Sequence, residues 1–207
     1  MSLFIKVYTM FDHRECSVTN GKRLMAYIID WFLGSLCTLL PMCMLWMMWT
    51  QDIDNMNKAN VLLIAGQVGD TQAYLAGTLS IVFALLYYVV IPWKLHPGQT
   101  PGKRAMGFKI VQTDGSDVTL KSLVMREIIG IIIIEGAMYN VSGIWHSMLS
   151  LATNINFINI LMYVGLAISC ISGFMILKIQ SRRMIHDYIA NTMVVESEED
   201  KKANQSI

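Results

Sequence analysis

Charge is what this sequence has least of. Asp, Glu, Lys and Arg make up 15% of 207 residues, against 54% hydrophobic residues and a mean hydropathy of +0.46, too little polar surface to solvate an ordinary soluble domain. Cysteine and proline are also scarce, with four of each. Cys16, Cys37, Cys43 and Cys170 show neither CxxC nor zinc-ligand spacing, so free thiols are expected, with no structural disulfide and no metal. There is no Ser-His-Asp grouping and no HExxH; neither an enzyme nor a cofactor is expected, and nothing points to nucleic acid. Gly98-Gln-Thr-Pro-Gly-Lys103 looks like a phosphate loop at first sight. A Walker A motif needs four residues between its glycines and Ser or Thr after the Lys, whereas this stretch has three and Arg104. A cleavable signal is not apparent either, because the first apolar run follows a polar leader and is too long for a signal-peptide core.

What the chain does have is long apolar blocks. Runs of roughly 18 or more apolar residues cross a bilayer as helices, and four are present: about 24–49, 73–93, 128–151 and 160–179. The expected fold class is an all-α membrane protein, a four-transmembrane-helix bundle. The cations are lopsided. Lys6, Arg14, Lys22 and Arg23 precede the first run; Lys94, Lys103, Arg104, Lys109, Lys121 and Arg126 lie between the second and third. Lys178, Arg182, Arg183, Lys201 and Lys202 follow the fourth, leaving Lys58 alone elsewhere. The positive-inside rule then puts both termini and the central loop in the cytoplasm. The organisation expected is a leader (1–22), a transmembrane domain (23–195) and a disordered polar tail (196–207).

Between the spans, 51–72 reads as a polar outer loop without a folded module. In the central loop, Phe108–Gln112 and Asp117–Leu120 flank Asp114-Gly115, the pattern of a short cytoplasmic β-hairpin between helices 2 and 3. Trp46, Trp49, Tyr74, Trp145 and Tyr163 fall near the outer boundary and Tyr87, Tyr88 and Trp93 near the inner one, as interfacial aromatics do. Gly165, Ser169 and Gly173 form a small-residue stripe suited to close helix contact.

Ionisable groups inside a membrane usually face the protein interior and are often functional. Asp30 and Glu135 lie about seven and eight residues into outward-running helices, at one depth about 10 Å past their inner ends. Glu135, Tyr139, Ser142 and His146, spaced i, i+4, i+7 and i+11, make one polar face, a candidate proton or cation track. Gly34, Cys37 and Pro41 on the Asp30 face leave room for water or an ion. The bland alternative is that both acids pair with Arg23, Arg126 or another basic group and fix helix packing.

Arg23-Leu-Met-Ala-Tyr-Ile-Ile-Asp30, Thr100-Pro-Gly-Lys-Arg-Ala-Met-Gly-Phe-Lys-Ile-Val111 and Arg183-Met-Ile-His-Asp187-Tyr-Ile-Ala-Asn-Thr-Met-Val-Val195 together resemble the RDD family of bacterial integral membrane proteins. The resemblance implies a helical domain in the bacterial cytoplasmic membrane and assigns the name residues to Arg23, Asp30 and Asp187, with Arg23 expected to approach Asp187. Arg126, Arg182 and Arg183 would complete a cytoplasmic basic cluster. Members are associated with cation/proton antiport or with accessory roles beside other membrane proteins. The activity expected is therefore exchange of a monovalent cation for protons at an Asp30–Glu135 site. The alternative is a non-transporting accessory protein, an immunity factor or modulator of a neighbouring transporter or protease, with a membrane-protein partner or a second copy of itself.

Overall fold

The structure is a computed structural model, described here over residues 15–136 and 139–197. Lys6 and Arg14 of the leader and the tail beyond Ser197 lie outside the described residues. Among the described residues, three helices are long and apolar enough to cross a membrane: α1 (Asn20–Thr50), α3 (Asp70–Leu95) and α7 (Ile158–Lys178). Thr19 caps α1 by accepting from the Lys22 amide, and Gln51 ends it in the left-handed region, its N–H returning to the Met47 carbonyl. Only 11% of the most apolar stretch of α7 is buried inside the protein, with Val164, Phe174 and Leu177 facing outward, as lipid-facing helices require.

The third apolar run is not one helix. α5 (Leu120–Glu135) ends at Gly136, and α6 (Asn140–Thr153) restarts from Tyr139 at 64° to it. Its Met125–Glu135 part, like Leu86–Leu95 of α3, has wide π-type turns. Within α3, Pro92 lacks the N–H that would bond the Tyr88 carbonyl.

The outer loop is more ordered than its polarity suggests. α2 (Val61–Gln67), started by the Asn60 side chain on the Leu63 amide, buries Val61 and Ile64 against Trp46, Met42, Ala73 and Ala76. Trp46 is fully buried and donates to the Asp52 carbonyl, so it anchors this cluster instead of an interface.

At the other end, Pro101 opens α4 (Pro101–Ala105), and β1 (Phe108–Gln112) follows. The expected hairpin is not what forms. The turn at Asp114-Gly115 exists, with Gly115 at φ +88°, but Asp117 gives β1 a single bridge at Val111. Its antiparallel partner is β2 (Thr192–Glu196), running from Phe108↔Glu196 to Gln112↔Thr192. A Gln112–Asp117 pairing would leave the apolar face of β1 in water. Pairing with β2 buries Phe108 and Ile110 with Val18, Ala26 and Val194. Glu196, assigned from sequence to the tail, is thus the last strand residue. Between α7 and β2, α8 (Ile185–Ala190) packs against α5.

Close approach between helices is built in at Gly34 and Gly130. A Cβ on Gly34 would lie 2.0 Å from the Tyr88 hydroxyl oxygen, and one on Gly130 would lie 2.5 Å from His186 Cβ. Gly34 therefore admits Tyr88 where the sequence suggested room for water. The α7 seam likewise differs from its expected stripe: Gly165 and Ser172 are buried, whereas a Cβ on Gly173 would meet nothing within 4 Å.

Candidate functional site

Asp30 and Glu135 hold separate positions and, among the described residues, have no hydrogen-bond partner in common. The buried Asp30 carboxylate takes four donors from two neighbouring elements. On Oδ1 they are the Tyr87 hydroxyl at 2.9 Å and the Gly102 amide at 2.8 Å; on Oδ2, the Thr100 hydroxyl and Lys103 Nζ at 3.4 Å. Tyr88 adds a bond to the Asp30 carbonyl at 3.0 Å. A carboxylate offers about four acceptor positions, and all are filled by the chain. This explains the Thr100-Pro-Gly-Lys103 run residue by residue. Thr100 and Lys103 bond the carboxylate and Pro101 sets the first helical turn. Gly102 brings its amide in where a Cβ would meet the Ala26 carbonyl at 2.4 Å and Asp30 Cγ at 2.7 Å. Tyr87 and Tyr88, assigned from sequence to the interface, are buried as the donors of this junction.

Glu135 ends α5 facing α7 and α8. Its Oε1 accepts from Ser172 Oγ at 2.7 Å and from the His186 amide at 3.1 Å; Oε2 lies 2.9 Å from His186 Nδ1. The other ring nitrogen, Nε2, is 3.1 Å from Arg126 Nη2. A guanidinium only donates, so Nε2 accepts and the ring hydrogen sits on Nδ1, directed at Glu135; the tautomer follows from this network.

Arg126 connects that pair to the third centre. Its Nη1 bonds Asp187 Oδ1 directly and Thr192 Oγ1 at 3.2 Å, and its Nε reaches Glu127 at 3.2 Å. Asp187, 1% exposed, also receives the Met184 amide at 3.0 Å. Arg23 Nη2 stands 3.7 Å from Asp187 Oδ2 while its Nη1 bonds the Arg182 carbonyl, so the first and last motifs meet as expected. Burial by itself would raise the Asp187 carboxyl, but the charges of Arg126 and Arg23, with the Met184 amide, outweigh it and hold the group well below the usual carboxylate range. Arg183 works on the backbone, donating to the Thr192 and Asp187 carbonyls at 2.9 and 3.1 Å. Arg182 donates to the Val18 carbonyl at 2.7 Å. The expected basic cluster is therefore divided: Arg23 and Arg126 face the carboxylate, while Arg182 bonds the leader and Arg183 bonds α8 and β2.

The expected polar face of the third span is broken up by the bend. Tyr139 stands before α6, its ring edge-on to Tyr27 at 5.8 Å and to Tyr88 at 5.6 Å. Ser142 Oγ donates to the Ile132 carbonyl at 3.0 Å, bracing the break, and His146 packs on Trp145 at 4.3 Å. Sequence reasoning missed Glu127, Ser172 and Thr192 as members of the buried network. Glu127 carried a signal: it adjoins Arg126 at the start of an apolar run, where a lone acid needs a partner.

Together these features define a membrane-embedded helical protein whose ends are fastened by a buried Arg–Asp clasp and a carboxylate-bound loop. The chain belongs to the RDD family, whose family profile matches residues 18–191. No curated protein and no solved structure matches it.

Proposed function

We propose that this chain crosses the bacterial cytoplasmic membrane four times, with both termini inside and α5 and α6 together forming one bent span. In this reading it serves as a non-enzymatic accessory or regulatory subunit of another membrane protein, a transporter or a protease. The observation carrying the reading is the occupancy of its intramembrane carboxylates. Asp30 has four donors from its own chain and Glu135 has three, so the Asp30 acceptor positions are filled and each Glu135 oxygen already holds a donor. The two do not share a proton, since no bond or common donor links them.

Purified protein in liposomes with an imposed sodium or potassium gradient is expected to show no cation-dependent proton movement from pH 6 to 9. Photo-crosslinkers at Val164 or Phe174, on the exposed face of α7, are expected to give one discrete membrane-protein adduct. Reporters after Lys58 and near Asn154 should read outside, and those after Gly115 or Glu196 inside. Cation/proton exchange is the second reading, favoured by the placement of Glu135 and His186 at a helix break. It would be established by a flux that Glu135→Gln abolishes while the protein stays folded.

A further inference from the structure

Between Thr71 and Thr113 the chain holds no acidic residue, yet it carries Lys94, Lys103, Arg104 and Lys109. Two of these cations are matched from elsewhere, Lys103 by Asp30 and Lys109 by Asp117. Lys94 and Arg104 are exposed and form no ion pair among the described residues. Each rests on a neutral ring instead. Lys94 Nζ lies 4.0 Å from the centre of the Trp93 ring, and Arg104 Nη1 lies 3.1 Å from Nδ1 and 2.5 Å from Nε2 of His96. A guanidinium has five donor hydrogens and a neutral imidazole accepts once, so most of the Arg104 fork lacks an acceptor among the described residues. Both cations belong to one rim because the chain turns back directly after α3. The His96 amide donates to the Ile91 carbonyl at 3.0 Å and the Gly98 amide to the Pro92 carbonyl at 2.8 Å, which sets the His96 ring, two positions beyond Lys94, against Arg104 of α4.

The rim is at headgroup depth. α3 has 26 residues, about 39 Å at 1.5 Å each, and exceeds a 30 Å hydrocarbon core by about 4–5 Å at each end. Lys94 is in its last turn. Leu95 beside it is 66% exposed, so apolar contact is offered next to the charges, which a small soluble anion has no use for and a lipid does. Lys178 provides a contrast within the same protein. It also ends a span, lies over an aromatic ring, 5.8 Å from the centre of Phe174, and forms no ion pair among the described residues. The next cation along that chain, Arg182, is already committed to the Val18 carbonyl, whereas Lys94 has an uncommitted guanidinium at hand.

We propose that this rim is a headgroup site for an anionic phospholipid, its phosphate taken by the Arg104 fork and the Lys94 ammonium while the start of an acyl chain lies on Leu95. A planar guanidinium matches two phosphate oxygens at once, and an ammonium adds a point charge. The site depends on α3 crossing the membrane, and neither on an accessory role nor on the direction of insertion. Full-length protein stripped of lipid in detergent is titrated with phosphatidylglycerol or with phosphatidylcholine of the same chains and read by native mass spectrometry, with thermal midpoints in parallel. Wild type should prefer phosphatidylglycerol about fivefold or more. Lys94→Gln and Arg104→Gln should each weaken that lipid about fivefold, the factor one near-surface cation contributes, at an unchanged midpoint and with phosphatidylcholine unaffected. Lys178→Gln, which removes the same charge from the end of α7, should leave both lipids as they are. Equal binding of the two lipids by wild type would overturn the proposal, and so would a loss in Lys178→Gln as large as in Arg104→Gln, which would mean diffuse attraction without a site. A preference that appears only after deletion of residues 198–207 would assign the rim to the acidic run Glu198-Glu199-Asp200 and overturn it for the full chain.

Discussion

Asp30 and Asp187 are both buried aspartates near the same end of the molecule, yet they are held in opposite ways. Asp30 is surrounded by hydroxyls and an amide, with one lysine at 3.4 Å. Asp187 is gripped by two guanidiniums, from Arg126 and Arg23, with one amide and one hydroxyl in support. The first arrangement spreads the negative charge over many dipoles, so no one donor decides it. The second concentrates it in a cross-link between three distant segments, in which each charge depends on the others. The Asp30 junction shapes a loop; the Asp187 clasp decides whether the helix ends stay together.

That contrast is broken most directly at Arg126. Arg126→Met leaves Asp187 and Glu127 buried with much less compensation, and losses of about 3–5 kcal/mol are typical when one partner of a buried pair is removed. Denaturant or thermal unfolding in detergent should show this as the largest effect. Gly102→Ala comes next. It forces a Cβ into the Ala26 carbonyl and Asp30, for an expected loss of about 1–3 kcal/mol, and the same measurement on Gly115→Ala, which has open space around it, separates crowding from backbone strain.

A double-mutant cycle sharpens the clasp side of the comparison. Arg23→Ala and Asp187→Ala should be non-additive by about 1 kcal/mol or more, and additive effects would show that the 3.7 Å approach carries no energy. On the junction side, Tyr87→Phe should cost about 1.5 kcal/mol, because its hydroxyl serves a charged acceptor, and Tyr88→Phe about 1 kcal/mol or less, because its acceptor is a neutral carbonyl. Equal losses would contradict the assigned partners.

The smallest effect is that of pH. The folded Asp187 carboxyl titrates below its unfolded value near 3.9, so its contribution is fully present above that value and fades as pH falls through the depressed folded value. Thermal midpoints should show no Asp187-dependent change from pH 5 to 8. Below about pH 4 the gap between wild type and Asp187→Asn should narrow; a gap that closes near neutral pH would mean the clasp is not ionic.

Much of this fold could be read from the chain, and the exceptions share a cause. α1, α3 and α7 were legible because a long apolar run has one stable solution in lipid, and the Arg23–Asp187 approach because opposite charges at helix ends attract. The partner of β1 was not. Local pattern favours the hairpin across Asp114-Gly115, while the real partner lies some eighty residues on and is selected by shared burial with Val18 and Ala26. The bend after Glu135 was hidden because the residues around it stay apolar; only the polar partners waiting on α7 and α8 make stopping there favourable. Tyr87 and Tyr88 were assigned to an interface for the same reason: amphipathic rings suit a headgroup zone or a buried carboxylate equally, and sequence shows only the rings. His186, a single residue inside the closing motif, gave no sign that it joins Glu135 to Arg126.

The clasp also sets an order in time. Arg23 and Arg126 belong to segments made early, but Asp187 follows Arg23 by 164 positions in the chain, about 8–33 s of synthesis at 5–20 residues per second. For that interval Arg23 waits at the membrane without its carboxylate, joined for about the last 3–12 s by Arg126, which precedes Asp187 by 61 positions. Every nascent copy is thus a conspicuously incomplete one until Asp187 emerges, so the same contacts that fasten the finished protein distinguish it from an interrupted chain.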